Sequence, residues 1–184
     1  MKLLLMNAFL LGLTMPAPLS AQTKSAANPV VPYAHVRNSF DLTVRLPYES
    51  AAPLFGPNGE RGWSEGHWNP QFLYPLPGED VQGAVFTVQH GAHKVFWVNT
   101  TFDLKARHFQ YVYFVPEIVA TVIDVNFVPL GATSTKVIVV YERTALNAEA
   151  NETVAALGKH DAANGPEWQK SIEDYLARSK DRDK

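Results

Sequence analysis

Five successive stretches in which apolar and polar residues alternate run from Ala84 to Thr144, and they constrain the fold more than any other feature. A period of two is typical of β-strands that bury one face. The stretches are Ala84–His90, Lys94–Phe102, Arg107–Val115, Glu117–Val128 and Thr135–Thr144. Because the connections between them are short, they favour an antiparallel meander over a crossover topology.

Shorter elements precede these strands. Arg37–Leu46 alternates in the same way and predicts one more strand. The next stretch, Tyr48–Phe55, is expected to be a short helix that Pro53 bends or shortens. Glu60–Trp63 has the length of one further helical turn, and Gly66–Asp80 is expected to be irregular because of its scattered prolines and glycines.

The C-terminal part is predicted to be helical. Asn147 is suited to cap a helix from Ala148 to about Leu157, and a second segment opens at Gly165-Pro166. Its apolar stripe consists of Trp168, Ile172, Tyr175 and Leu176. The sequence leaves open whether Gly165-Pro166 kinks one long helix or separates two.

Composition excludes several classes of function. Hydrophobic residues make up 46% of the 184, which is enough for a sizeable core. The formal net charge of -2, without a basic patch, argues against nucleic-acid binding. The chain has no cysteine, so disulfides, thiol catalysis and thiolate metal sites are excluded.

The first 21 residues have the features of a secretory signal. Lys2 supplies a positive charge, Leu3–Leu13 is mostly apolar, and Leu19-Ser20-Ala21 is suited to cleavage. The apolar stretch is short for a transmembrane helix, although an uncleaved anchor is the alternative. We therefore expect a signal peptide at 1–21, a flexible lead-in at 22–36 and one domain at 37–180. The expected location is periplasmic or secreted, without a stable membrane anchor after cleavage.

One face of the predicted sheet carries many aromatic side chains and indicates a ligand cavity under the terminal helix. The predicted ligand-binding residues are Phe86, Val88, Phe96, Val98, Tyr111, Tyr113, Ile123, Val125, Val139, Tyr141, Trp168 and Ile172. The tyrosine hydroxyls of Tyr111 and Tyr113 would anchor the ligand. Trp97 falls on the polar face of its strand, unless a bulge turns it inward. The alternative is a core that is packed solid.

Titratable residues give weaker signals. His90 shares a face with Phe86 and Val88, which makes it a weak candidate for a catalytic base. His90 and His93 have a metal-like spacing but no third ligand, so a solvated turn is favoured over a metal site. His108 and His160 are expected to face solvent. Alternation directs Arg143 inward, and a position at the rim is favoured for it over a buried one.

Three local motifs of the chain are Leu54–Trp63, His67–Phe72 and Val137–Leu146. They resemble a bacterial branch of the START-like superfamily, which includes polyketide-cyclase-like and plant pollen-allergen-like proteins. The first resembles the F-x-P-x-G-E-R-x-W stretch of that branch, the second its following G-W-x-P-x-F, and the third its last strand. The resemblance implies an α+β protein with the helix-grip fold, in which a curved antiparallel β-sheet wraps around a long C-terminal α-helix and two short helices follow the first strand.

The superfamily includes lipid carriers and cyclases, and the branch has no catalytic signature that transfers to this chain. The expected function is binding of a hydrophobic small molecule or lipid, without a cofactor or metal. An enzyme of the polyketide-cyclase kind is the first alternative. A structural or interaction protein with a filled core is the second.

Overall fold

The computed structural model describes residues 32–64, 66, 68–91 and 93–182. The predicted signal segment, 1–21, lies outside the described residues. The first elements are β1 (His35–Val44), α1 (Tyr48–Ala51), a 3₁₀ turn (Ala52–Phe55) and α2 (Pro57–Glu60). Six strands follow, namely β2 (Gln71–Tyr74), β3 (Val85–His90), β4 (His93–Asp103), β5 (His108–Val115), β6 (Val119–Pro129) and β7 (Thr135–Ala145). The last two elements are α3 (Asn151–Ala163) and α4 (Gly165–Arg182).

The described strands form one antiparallel sheet in the order β1-β7-β6-β5-β4-β3-β2. β2 to β7 each pair with their neighbours in sequence, as a meander requires. β1 pairs with β7 from His35 opposite Thr144 to Val44 opposite Thr135, which brings the first and last strands side by side. The predicted α+β helix-grip fold is confirmed.

The terminal helices cover the inner face of the sheet. Gly158 of α3 lies so close to β1 that a Cβ atom there would come within 2.8 Å of the Asn38 side chain and 2.9 Å of Val36. In α4, Ile172 is buried, and Trp168 packs edge-on against Phe40 with ring centroids 5.2 Å apart. The predicted apolar stripe of α4 therefore faces the core.

Several element bounds differ from the predicted ones. β2 lies inside the stretch predicted to be irregular and pairs with β3 through Phe72 opposite Phe86. Asn164 separates α3 from α4, so the terminal helix is split. α3 begins at Asn151 rather than Ala148, and the Asn147 side chain accepts a hydrogen bond in the turn just before it. Among the described residues, no helix is both long and apolar enough to cross a membrane.

Candidate functional site

A cavity of about 270 Å³ lies between the inner face of the sheet and the helical segments. Its sheet wall consists of His90, Trp97, Tyr111, Tyr113, Ile123, Val125, Tyr141 and Arg143. Phe55, Pro57, Glu60 and Trp68 close it on the side of the early helical turns. Leu157, His160, Asp161, Asn164 and Trp168 complete it from α3 and the start of α4. The core therefore contains a cavity, and the alternative of a solidly packed core is wrong.

Aromatic rings form much of the cavity wall. Trp97 stacks on Tyr113 with ring centroids 4.2 Å apart, and Trp68 meets Trp97 edge-on at 5.1 Å. Phe55 and Trp168 lie on the opposite side with centroids 6.4 Å apart. Rings that pack on one another hold their positions without a ligand, so this wall is preformed.

Two tyrosine hydroxyls are already engaged in the fold. Tyr111 donates a hydrogen bond of 2.7 Å to the carbonyl of Phe55, which fixes the 3₁₀ turn over the sheet. The hydroxyl of Tyr113 accepts a hydrogen bond from Nη1 of Arg143. Both residues line the cavity as predicted. The O–H of Tyr111 is donated to the backbone, whereas Tyr113 only accepts, so its own O–H stays available for the predicted role as a ligand anchor.

Two other polar groups on the cavity wall are unpartnered. The buried indole Nε1 of Trp97 has no hydrogen-bond partner among the described residues. The hydroxyl of Tyr141 makes none of the hydrogen bonds found among the described residues, but it is not one of the fully enclosed atoms without a partner. A ligand that bonds to the buried Trp97 indole would gain affinity, because a buried polar group without a partner is costly. The Tyr141 hydroxyl offers a second group to which a ligand can bond.

A buried ion pair forms the polar end of the cavity. Arg143 donates two hydrogen bonds to Asp161, from Nε to Oδ2 at 2.6 Å and from Nη2 to Oδ1 at 2.7 Å. Nη1 also donates to Thr121 at 3.1 Å. Burial disfavours the charged guanidinium, but the hydrogen bonds with Asp161 and Tyr113 raise the pKa of Arg143 above its ordinary value. The guanidinium therefore stays charged and joins β7 to α3.

Glu60 is the second acidic group of the cavity. It ends α2 and is only partly exposed, and no described residue pairs with its carboxyl. Burial, together with the negative charge of Asp80, raises the pKa of Glu60 to about 8. Asp80 accepts hydrogen bonds from the backbone and side chain of Asn58 and so holds α2 in place.

The histidines are placed differently from one another. His90 lies at the cavity edge and stacks on Trp97 and Tyr113, with ring centroids 6.1 and 6.3 Å away. Burial and the nearby Arg143 lower the pKa of His90, which keeps its imidazole neutral at pH 7. His160 is exposed, as predicted, but borders the cavity. His108 is half-buried on the outer face and bonds to Asp124 at 2.6 Å.

His90 and His93 lie directly opposite each other at the end of the β3–β4 hairpin. In the part of the chain that the structure describes, no group of three His, Cys, Asp or Glu side chains is arranged to hold a metal ion.

The structure brings together half of the predicted ligand-binding residues. Those that line the cavity are Tyr111, Tyr113, Ile123, Val125, Tyr141 and Trp168. Phe86, Val88, Val139 and Ile172 are almost fully buried in the core but do not reach the cavity.

The predicted inward face of β4 is wrong. Phe96 is 54% exposed on the outer face, and Val98 shares that face, whereas Trp97 points inward. A bulge between Asn99 and Thr101 inserts one residue and reverses the alternation. Strict alternation counted back from Phe102 ignores the bulge. It therefore assigns the residues before the bulge to the wrong face of the sheet.

The placement of Arg143 is the other correction, since it is buried rather than at the rim. Its partner Asp161 and the cavity carboxyl of Glu60 were not predicted as site residues. The sequence contained an indication of Asp161, because alternation directs Arg143 inward and a buried guanidinium requires an acidic partner. Glu60 belongs to the Leu54–Trp63 motif, where it follows the cavity residues Phe55 and Pro57.

Comparison with known proteins supports the fold. No protein-family model matches the chain, and no curated protein matches it. Norcoclaurine synthase from Thalictrum flavum, in complex with dopamine and hydroxybenzaldehyde, aligns with a TM-score of 0.57 at 12% identity, over 79% of this chain and 88% of that chain. The Zhui aromatase/cyclase from Streptomyces sp. R1128 aligns with a TM-score of 0.55 at 14% identity, over 79% and 96%. Ara h 8.0201 aligns with a TM-score of 0.51 at 14% identity, over 79% and 99%. These similarities confirm the helix-grip fold.

Proposed function

We propose that this helix-grip protein binds a hydrophobic small molecule in the cavity between its sheet and its helices. The observation that supports this function is a preformed cavity in which an aromatic wall meets polar groups such as Glu60 and the Arg143–Asp161 pair. Apolar walls combined with convergent polar groups are typical of small-molecule sites. A volume of about 270 Å³ favours a compact molecule over a lipid with two acyl chains. The norcoclaurine synthase structure contains two small aromatic molecules, which is consistent with such a ligand.

Filling the cavity should abolish binding. Val125 is buried on the cavity wall, and a Val125→Trp variant would occupy the space that a ligand needs. We expect native mass spectrometry of the purified wild-type protein to show a bound molecule of a few hundred daltons, and the Val125→Trp variant to lose it. The matched control is Val128→Trp, because Val128 lies on the same strand but is exposed on the outer face. Equal ligand occupancy in both variants would contradict the proposed site.

Removing the unpartnered hydroxyl should weaken binding at little cost in stability. A hydrogen bond contributes about 0.5–1.5 kcal/mol, so Tyr141→Phe should reduce affinity for a ligand bonded there roughly two- to tenfold. Tyr111→Phe is the control, because it removes a hydrogen bond within the protein and should lower the melting temperature instead. Titration of the extracted ligand into both variants, with thermal melts, separates these effects. Unchanged affinity in Tyr141→Phe would exclude this hydroxyl as the anchor.

An enzyme of the polyketide-cyclase kind is the second candidate. His90, neutral at pH 7, and Glu60, with a pKa of about 8, border the same cavity and have the properties of a proton acceptor and a proton donor. Incubating the extracted ligand with fresh protein distinguishes the two functions. A binding protein returns the ligand at its original mass, whereas an enzyme returns a product.

We also propose that binding takes place outside the cytoplasm, in the periplasm or after secretion. The support is the signal-like sequence of Met1–Ala21. Fractionation of the native cells should recover the protein, shortened by about 21 residues, outside the cytoplasmic fraction. Full-length protein in the cytoplasm would contradict this location.

A further inference from the structure

The charges around the cavity are unbalanced. Arg143, the buried cation, is fully engaged by the carboxylate of Asp161. Glu60 has no cationic partner among the described residues, and Asp80 adds a second negative charge close to it. Asp80 does not line the cavity, and the positive charge of Arg61 acts on it. The carboxylate of Glu60 does line the cavity, and it has no ion-pair partner in the part of the chain that the structure describes.

Charged and titratable groups from several elements surround the cavity that Glu60 lines. They are Arg61 just after α2, Asp80 before β3, His90 on β3, Tyr111 and Tyr113 on β5, Tyr141 and Arg143 on β7, and His160 and Asp161 on α3. The negative charge of Glu60 adds to burial in raising the pKa of Tyr111 and of Tyr141, so both phenols stay neutral. His90 is neutral at pH 7 because its pKa is lowered. Arg143 donates hydrogen bonds to Asp161, and Arg61 donates hydrogen bonds to Asn69 and Pro70, so neither arginine is paired with Glu60.

The rest of the wall suits a positive charge. Trp68, Trp97, Trp168 and Phe55 line the same cavity as Glu60, together with Tyr111. The guanidinium of Arg143 already lies over the ring of Tyr141, 4.8 Å from its centroid, so a cation is accommodated on this wall. The faces of aromatic rings attract cations, most strongly in Trp and Tyr. A buried carboxyl among such rings has two ways to avoid an uncompensated charge, which are to bind a proton or to bind a cationic ligand.

Building on the proposed function, we propose that Glu60 receives the ammonium group of the ligand and that the cavity selects aromatic amines over neutral molecules of the same shape. The aromatic body would occupy the apolar wall, and the ammonium would form a charge-assisted hydrogen bond with the carboxylate.

The affinity for an amine that binds to Glu60 should depend on pH. With a pKa of about 8, Glu60 holds a proton at pH 7 in the empty cavity. Binding of the ammonium displaces that proton into the buffer, so one proton is released for each amine bound. Affinity should therefore rise nearly tenfold from pH 6 to 7 and about fivefold from pH 7 to 8, as Glu60 approaches its pKa of about 8. It should then stay level until the ligand ammonium itself deprotonates near pH 10.

The test uses two probes that differ in one group, naphthylethylamine and naphthylethanol, titrated calorimetrically into the full-length protein. We expect the amine to bind at least tenfold more tightly than the alcohol at about pH 8. Measurements in two buffers of different ionisation enthalpy should reveal proton release with the amine and none with the alcohol. In Glu60→Gln, the amine should bind no better than the alcohol and without pH dependence. Glu152→Gln, at an exposed position on α3, is the matched control and should behave as wild type.

Three outcomes would overturn the inference. Equal affinity for amine and alcohol in the wild type would exclude ammonium recognition and leave the binding of hydrophobic molecules intact. An amine preference that persists in Glu60→Gln would move the recognition to another residue. If neither probe binds at any pH, both this inference and the proposed function fail. Since Glu60→Gln removes a buried acid, it should fold, and the pH dependence of the wild type is an independent measurement.

Discussion

Asp161→Ala is expected to lower the free energy of unfolding by about 3–5 kcal/mol, because it leaves the guanidinium of Arg143 buried without its counter-ion. Both side chains are at least 94% buried, and two hydrogen bonds join them. Tyr113 and Thr121 would remain as partners of Nη1 but carry no opposite charge. Removing one member of such a pair therefore costs far more than removing both.

Urea denaturation of three variants tests this expectation. Asp174→Ala makes the same change at an exposed ion pair on α4 and should alter stability little. The double variant Arg143→Met/Asp161→Leu, which replaces the pair with apolar side chains, should recover much of the stability lost in Asp161→Ala. A loss below about 1 kcal/mol in Asp161→Ala would mean that the guanidinium reaches water or another partner.

The Arg143–Asp161 pair also fixes the shape and polarity of one end of the cavity. Arg143 belongs to β7 and Asp161 to α3, so their bonds fix the end of α3 against the sheet beside the cavity. Gly158, one turn earlier, packs directly on β1. An apolar end of the same shape would be easier to stabilise than a buried ion pair. The pair is therefore consistent with the proposed function, in which polar groups on the cavity wall orient the ligand.

The fold was predictable because strands of this sheet keep one face buried over long stretches. β5, β6 and β7 alternate without interruption, so their inward residues, such as Tyr111, Val125 and Tyr141, follow directly from the sequence. β4 was not predictable to the same degree. A single inserted residue near Asn99 reverses the faces. Trp97, an apolar residue on the predicted polar face, was its sign in the sequence, but the sequence does not mark the position of the bulge.

The polar part of the site depends on contacts between distant segments. Asp161 lies 18 residues from Arg143, and a helix and a connection separate them, so spacing does not indicate the pair. Glu60 belongs to α2, and α2 is held in place because its Asn58 donates a hydrogen bond to Asp80, 22 residues further along the chain. Such tertiary contacts are decided by packing of whole elements, and periodicity within one element carries no information about them.

Glu60→Gln is expected to stabilise the protein increasingly as pH rises. An ordinary pKa of 4.5 in the unfolded chain and about 8 in the folded protein means that the folded state retains its proton over a range in which the unfolded state loses it. The wild type therefore has its full stability below pH 4.5, loses stability between pH 4.5 and 8, and shows the whole loss above pH 8. A buried glutamine has no such dependence, and the difference should approach about 5 kcal/mol above pH 8, at about 1.4 kcal/mol for each pH unit between the two pKa values.

Thermal melts of wild type and Glu60→Gln at several pH values between about 5 and 9 measure this difference without any ligand. The two melting temperatures should nearly coincide at the acidic end and separate progressively above it, while the exposed control Glu152→Gln follows the wild type throughout. Parallel curves for wild type and Glu60→Gln would show that the Glu60 carboxyl is solvated and ionised at neutral pH. An added amine should narrow the gap at high pH, because an ammonium beside Glu60 stabilises only the folded wild type.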